Sequence, residues 1–328
     1  MATKSSNINL RKANVAKVDE FYTQLADIEK ELKYYKNQFR NKVVFCNCDD
    51  PKESNFVRYF SMKFEPLGLN KLIATHYKEA NLFTQAPPYK LEYTGDKDGN
   101  RMPDPNEFIT KMIGTGDFRS DECIELLKEA DIVVTNPPFS MFREYVAQLI
   151  DYNKKFLIIG NTNSLTYKEI FKLIKDNKLR TGYTNFNVGM FFIVPKDWEK
   201  FHHIDENGNK IARVSTSCWF TNLEVEKHKQ EITLYKKYNS KEYPKYDNYD
   251  AIEVSKVSEI PMDYEGAMGV PVTFIDKYNP NQFEILDAIG RYSMLTGPTE
   301  ETKGHYLTKI NGKPKYARII IKNKNVKK

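Results

Sequence analysis

Long apolar segments are missing from this sequence of 328 residues. No stretch approaches the ~20 apolar residues that cross a bilayer, and Met1 to Val18 lacks the apolar core of a secretory signal. The four cysteines, Cys46, Cys48, Cys123 and Cys218, form no Cys-x-x-Cys pair and have no histidine spacing typical of zinc. We therefore expect a cytoplasmic protein with reduced thiols, no membrane partner and no metal.

Glycine is missing where a nucleotide-binding fold usually has it. The apolar run Lys42 to Cys46 predicts a buried first strand, and the turn after it reads Asn47-Cys48-Asp49-Asp50-Pro51. Without glycine the backbone cannot approach a pyrophosphate closely, and two carboxylates would repel phosphate. The turn therefore favours a cationic ligand; an Asp-Pro turn that merely starts a helix is the alternative.

Apolar runs and helical patterns alternate up to about residue 225. From Asp19 apolar residues recur at helical spacing, which predicts an amphipathic helix. Further strands are predicted at 71–75, 131–135, 156–159, 188–194 and 218–225, with helices between several of them. This alternation predicts an α/β fold, doubly wound, with a mostly parallel twisted sheet and helices on both faces. The basic residues 1–17 show no period, which predicts a disordered arm.

The predicted strand Asp131–Thr135 ends on Asn136-Pro137-Pro138-Phe139. Each proline holds the residue before it extended, at the end of the strand where open α/β sheets bind ligands. The Asn136 side-chain oxygen and the Pro137 carbonyl could each accept one N–H of the exocyclic amine of a nucleobase, which frees the nitrogen lone pair to attack an electrophile. Phe139 would stack on that nucleobase. The alternative is that Asn-Pro-Pro simply ends a strand.

A second candidate contact precedes the helix predicted at 121–129. Asp117 and Phe118 follow Gly114-Thr115-Gly116 and could hydrogen-bond and stack on an adenine ring. An Asp that simply starts a helix is the alternative.

Positive charge is concentrated at the carboxyl end. The net charge is +6, but Arg291 to Lys328 contains ten Lys or Arg against Glu300 and Glu301, a local balance of +8. This predicts a polyanion partner, with a solvated basic tail as the alternative. The segments 305–310 and 315–321 alternate around Asn311-Gly312, which predicts a hairpin that can enter a DNA groove. Lys313, Lys315 and Arg318 are the candidate phosphate contacts.

Taken together, these stretches resemble the adenine-N6 DNA methyltransferases of the EcoRI modification-methylase family. Asn-Pro-Pro-Phe alone is typical of amino-methyltransferases broadly, whereas the cysteine–aspartate turn and Tyr243–Ile252 are more specific. The segments that carry the likeness are Asp19–Gln24, Phe45–Pro51, Gly116–Ser120, Asp131–Ser140, Phe156–Asn161, Tyr243–Ile252 and Met268–Pro271.

The resemblance implies a class I S-adenosylmethionine-dependent methyltransferase fold, with a cofactor-binding catalytic domain at 18–225 and a target-recognition region at 226–328. Asp117 and Phe118 would meet the cofactor adenine, Glu79 is the candidate ribose contact, and Asn136 to Phe139 would hold the target adenine. The residues implied to line the methionine end are Phe21, Tyr22, Thr23, Cys46, Asn47, Asp49, Asp50 and Pro51; which of the two carboxylates meets the ammonium stays open.

The implied reaction is methyl transfer to an adenine flipped out of double-stranded DNA, because N6 inside a base pair cannot be reached. We expect a monomer in a restriction-modification or phage/host DNA-modification context, with no stable complex with a cognate endonuclease. Two alternatives remain: a methyltransferase acting on RNA or on protein glutamine, and a catalytically silent DNA-binding relative.

Overall fold

The computed structural model describes residues 22–77, 87–96, 108–300 and 305–327. It divides into two compact units, one with the residues up to Thr162 and Gly182–Leu223, the other with Asn163–Thr181 and Glu224–Lys328. The predicted arm at 1–17, Phe21 and Glu79 lie outside the described residues. Within these ranges no helix has both the length and the apolar character needed to span a membrane.

The α-helices are short, and strands separate most of them. The described helices are α1 (Leu25–Leu32), α2 (Asn55–Met62), α3 (Phe64–Leu67), α4 (Asp121–Glu129), α5 (Phe142–Asp151) and α6 (Lys168–Lys175). Short 3-10 helices are found at Lys36–Gln38, Phe139–Met141, Thr162–Thr166, Glu226–Lys229, Val257–Glu259 and Val272–Lys277.

The strands are numbered in chain order. They are β1 (Tyr22–Thr23), β2 (Val43–Cys46), β3 (Lys71–Thr75), β4 (Tyr89–Tyr93), β5 (Ile109–Lys111), β6 (Ile132–Thr135), β7 (Lys155–Asn161), β8 (Arg180–Thr181), β9 (Met190–Val194), β10 (His203–Ile204), β11 (Lys210–Val214), β12 (Ser217–Thr221), β13 (Ile252–Glu253), β14 (Met268–Pro271), β15 (Phe283–Ile289), β16 (Lys309–Ile310), β17 (Lys313–Pro314) and β18 (Arg318–Asn323).

Seven strands of the first unit form one sheet in the order β5-β4-β3-β2-β6-β7-β12. The four central strands, β3, β2, β6 and β7, run parallel. The strands β4, β5 and β12 pair antiparallel at the two sides. The sheet is therefore mixed, and the predicted parallel arrangement is found only in its centre.

The register of the two central strands is fixed by Asp131, just before β6. Its carboxylate accepts the backbone N–H of Val43 at 2.9 Å, while its own N–H donates to the Val43 carbonyl. The side chains of β6 from Ile132 to Thr135 are all buried. The strand therefore ends in the core, and its carboxyl end points to the turn after β2.

A second sheet of the first unit has the order β1-β9-β11-β10 and is antiparallel. Its strand β1 corrects the sequence prediction of a helix beginning near Asp19. Tyr22 pairs with Ile193 and Thr23 with Phe192, so these residues are extended and α1 begins only at Leu25. Pairing with a strand about 170 positions away is a long-range contact that helical spacing does not reveal.

The second unit contains a sheet in the order β13-β14-β18-β15 and a separate two-stranded hairpin, β16–β17. The hairpin was predicted with longer strands, at 305–310 and 315–321. Instead, only Lys309 and Ile310 pair across the turn, with Pro314 and Lys313. The buried run Ile319–Ile321 belongs to β18 and pairs with β14 and β15, because three consecutive apolar side chains need a covered sheet.

Arg318 at the start of β18 is held inside this unit. Its Nε lies 3.1 Å from both carboxylate oxygens of Glu253, and the two side chains are 12% and 5% exposed. The Tyr246 hydroxyl also donates to Glu253. The guanidinium predicted to contact phosphate is therefore engaged by a buried carboxylate.

This pair gives a first prediction, on stability. Glu253→Ala leaves the largely buried Arg318 guanidinium without its carboxylate, which should lower the free energy of unfolding by about 3–5 kcal/mol. Glu259→Ala breaks the exposed pair with Lys256 and should cost less than about 1 kcal/mol. Urea unfolding followed by circular dichroism measures both, and equal losses would contradict a structural role for the buried pair.

Candidate active site

Thr135, the last residue of β6, connects the central strand to the turn after β2. Its Oγ1 accepts the backbone N–H of Cys48 at 3.1 Å, and its hydroxyl donates to the Asp49 carboxylate. Sequence reasoning missed this residue, because a threonine that ends an apolar strand looks like any other β-branched residue. Its contacts bring the acidic turn and the Asn136 loop together.

Asp49 is buried at the centre of these contacts. It also accepts the hydroxyl of Ser54 at 2.8 Å and the backbone N–H of Asn136. Burial raises the pKa of Asp49 from 3.8 to about 6, and the bonds from Thr135, Ser54 and Asn136 only partly oppose it. Ser54 in turn caps α2 by accepting the Phe56 N–H. One carboxylate thus joins the turn, the helix start and the Asn136 loop.

The neighbouring carboxylate, Asp50, faces a different set of partners. Its Oδ1 accepts the Tyr89 hydroxyl at 2.6 Å, and its Oδ2 lies 3.2 Å from Nδ1 of His76. The rings of His76 and Tyr89 stack with centroids 4.8 Å apart. His76 follows β3 and Tyr89 starts β4, so the antiparallel addition of β4 builds this side of the site. Nothing in the sequence predicts that either residue contacts the Asp50 carboxylate.

The remaining residues of the turn are mostly buried. Asn47 is 1% exposed, and its carbonyl accepts the Thr75 hydroxyl at 3.0 Å. Pro51 is buried too. Burial raises the pKa of the Cys46 thiol well above its ordinary value, so this cysteine is not a ready nucleophile. The turn is therefore a mostly buried segment that carries two acidic side chains.

The Asn136 loop lies beside β9. Pro137 is buried, Pro138 is extended with φ −55° and ψ 123°, and Phe139 starts a 3-10 turn. The Phe139 ring lies edge-on to Phe192, with centroids 6.4 Å apart. Since Phe192 pairs with Thr23 in the second sheet, it brings the predicted cofactor strand close to the predicted target loop. Phe192 is a further residue that sequence reasoning missed.

Thr23 provides a test of whether this region suits a bound group. It is 3% exposed, and within the described residues its Oγ1 has no hydrogen-bond partner. Its carbonyl accepts Nδ2 of Asn55 at 2.8 Å, so the backbone is fixed while the hydroxyl is available. A buried polar atom without a partner costs free energy unless a ligand satisfies it. This hydroxyl and the two carboxylates of the turn fit a ligand with cationic groups.

Asp117 and Phe118, the residues of the predicted adenine contact, have different surroundings. Asp117 pairs with Arg119 through both carboxylate oxygens, at 2.9 and 2.7 Å, and these bonds lower the pKa of Asp117. Phe118 is 4% exposed and packs edge-on against Tyr145. Gly116 needs its glycine, since φ is +73° and a Cβ would lie 2.1 Å from the His76 carbonyl oxygen. The turn is thus packed closely behind β3.

The predicted DNA contacts belong to the second unit. Lys313 is exposed at the hairpin, and Lys315 is half-buried just after it. Arg318, as described, is paired with Glu253. Only the two lysines therefore keep side chains that are not bound to a buried carboxylate.

Comparisons with known proteins agree over the whole chain. The family model described as adenine-specific methyltransferase EcoRI matches residues 9–324. The chain is 48% identical to the type II methyltransferase M.EcoRI of Escherichia coli, over the full length of both. It is 40% identical to M.MgeORF184P of Mycoplasma genitalium, covering 97% of this chain and 99% of the relative. It is 38% identical to M.MpnI of Mycoplasma pneumoniae, covering 95% and 97%. No solved structure matches.

The raised pKa of Asp49 predicts a specific pH dependence of stability. Because the folded pKa is about 6 and the reference value is 3.8, the fold favours the protonated acid. Its contribution is present below pH 4 and is lost as pH rises through 6, a change of about 3 kcal/mol. Asp49→Asn cannot ionise, so its stability relative to wild type should improve between pH 4 and pH 7.

Denaturant unfolding of both proteins across this pH range measures the difference. A loss of stability in Asp49→Asn that does not depend on pH shifts the difference in unfolding free energy equally at every pH. It leaves the dependence of that difference on pH unchanged. A difference that stays flat from pH 4 to pH 7 would show that the carboxyl titrates alike in the folded and unfolded chains.

Proposed function

The chain belongs to the EcoRI family of adenine-specific methyltransferases, and on that basis we propose that it transfers a methyl group from S-adenosylmethionine to N6 of an adenine in a specific duplex DNA site. It is a site-specific DNA methyltransferase, and its family implies a methyl donor. The match of the family model across residues 9–324 favours duplex DNA as the substrate over RNA or protein glutamine.

The observation that carries the proposal is the hydrogen-bonding of Asp49. The Thr135 hydroxyl and the Asn136 N–H both donate to this one carboxylate. The acidic turn proposed for the methyl donor is therefore fixed against the loop proposed for the target amine. Methyl transfer between two bound molecules depends on such fixed distances, because positioning supplies much of the rate enhancement.

The methyl donor is proposed to lie along the carboxyl ends of β2 and β3. When bound, S-adenosylmethionine supplies a methyl group activated on a sulfonium. Asp50 and Asp49 would face its cationic groups, and the Thr23 hydroxyl would gain a polar partner. Asp117 and Phe118 are proposed to meet its adenine. The other proposed contacts are Phe21, Tyr22, Cys46, Asn47 and Pro51.

The target adenine is proposed to leave the duplex and enter the Asn136 loop. The Asn136 side-chain oxygen and the Pro137 carbonyl would each accept one N6–H, which favours a pyramidal nitrogen whose lone pair can attack the methyl carbon. Pro138 keeps the backbone extended between them. Phe139 would stack on the base, supported from behind by Phe192.

The second unit is proposed to recognise the DNA. Its carboxyl-terminal segment is strongly basic, and Lys313 and Lys315 are the proposed phosphate contacts. We propose residues 18–225 as the catalytic region and 226–328 as the recognition region of a monomer. A restriction-modification role, without a stable complex with an endonuclease, fits relatives named as type II methyltransferases.

Substitution of Asn136 separates an enzyme from a silent relative. Asn136→Ala removes an acceptor whose interaction strengthens as the nitrogen pyramidalises, so the loss should fall on the chemical step. Single-turnover methylation should fall at least ~100-fold, while equilibrium binding of S-adenosylmethionine and DNA stays within several-fold. Asn136→Asp keeps an acceptor and should retain more activity than alanine. Full activity of Asn136→Ala would rule out the proposed role.

Salt dependence tests the phosphate contacts. Lys313→Ala with Lys315→Ala should weaken DNA binding and lower the slope of log K against log salt by about two units, one for each contact. A double substitution at Lys256 and Lys277, two exposed lysines of the same unit, is the charge-matched control. Fluorescence anisotropy with duplex DNA from 50 to 300 mM salt gives the slopes. If both double variants change the slope equally, net charge rather than the hairpin explains binding.

A further inference from the structure

The β16–β17 hairpin is too small to be stable by itself. It has two paired positions, and isolated hairpins are marginal even when they are longer. Its turn residues, Asn311 and Gly312, have φ of +50° and +72°, as a two-residue hairpin turn requires. Contacts from elsewhere in the unit must therefore keep the hairpin formed.

Asp247 supplies the main contact to the turn. Its two carboxylate oxygens accept the backbone N–H groups of Asn311 at 3.0 Å and Gly312 at 2.7 Å. Its own N–H donates to the Lys309 carbonyl at 2.8 Å. The next residue, Asn248, donates to the Tyr306 carbonyl at 2.9 Å. The first strand and the turn of the hairpin are thus tied to one short segment.

Beyond the hairpin, Tyr316 projects into solvent. It is 85% exposed, whereas Tyr243, Tyr246 and Tyr278 of the same unit are each 5% exposed or less. No Asp or Glu occurs after Glu301 in the sequence. The positive charge of this segment attracts a nucleic acid, and an aromatic ring on it can pack on a deoxyribose or on a base face that unstacking exposes.

We propose that Tyr316 is a DNA-contacting residue whose ring packs on a deoxyribose or an unstacked base of the target duplex, and that Asp247 is the positioning residue that keeps its hairpin formed. The inference rests on the proposed function and adds an uncharged contact to it. A hairpin fixed before binding loses little backbone freedom when DNA arrives, so the ring contact is offset mainly by the ordering of the Tyr316 side chain itself.

The first experiment measures DNA affinity of the full chain with its cognate duplex. Tyr316→Ala should raise Kd about 10-fold, and Tyr316→Phe should stay near wild type because the ring remains. The salt slope should not change, since no charge is lost, which distinguishes this residue from Lys313. Tyr235→Ala, a 62% exposed tyrosine next to Lys236, is the control. Unchanged Kd in Tyr316→Ala, or an equal loss in Tyr235→Ala, would overturn the proposal.

A double-mutant cycle tests Asp247. Asp247→Ala should raise Kd, and Tyr316→Ala should cost clearly less in that background than in wild type, because the ring is no longer held in place. Asp247→Asn keeps one acceptor and should recover part of the affinity. Additive losses would show that Asp247 acts independently of Tyr316 and would refute the positioning role.

The outcomes also separate this inference from the proposed function. If wild type methylates duplex DNA and the Lys313 and Lys315 variant shows a lower salt slope, while Tyr316→Ala binds normally, only the present inference fails. If wild type transfers no methyl group to DNA, the proposed function itself fails.

Discussion

The site depends on one buried carboxylate. Asp49 loses most of its hydration, which is costly for a charged group, and recovers part of the cost from two hydroxyls and a backbone N–H. Each donor comes from a different structural element: the start of α2, the end of β6 and the loop after it. A neutral side chain of similar size would pack at lower cost, so the carboxylate fixes the geometry at the expense of stability.

Much of this arrangement follows from local sequence. The strand Lys71–Thr75 and the helix Asp121–Glu129 were predicted with their observed bounds, because each has an unambiguous apolar pattern and a clear end signal. The proline pair after β6 likewise indicated where the central strand stops. Local patterns of this kind are decided by a few neighbouring residues, which a single sequence shows directly.

What could not be predicted depends on partners far away in the chain. Tyr22 and Thr23 are extended only because β9 pairs with them, although their spacing is helical. His76 and Tyr89 come together because β4 is added antiparallel to β3. Arg318 looks like a surface cation until Glu253 pairs with it. In each case tertiary pairing overrides a local signal, and the charge count of the carboxyl end overstates the cations available to DNA.

The contacts of Asp49 also constrain how this chain can change over time. Ser54 and Thr135 donate to a carboxylate that is buried, so loss of the acid leaves two hydroxyls to find other partners. Loss of either hydroxyl leaves an under-satisfied buried acid. A substitution at only one of the three positions therefore gives a less stable protein. We expect homologous chains to keep all three residues or to replace them jointly. Covariation among these positions would then report a hydrogen-bonded unit, where positional conservation alone would suggest three independent sites.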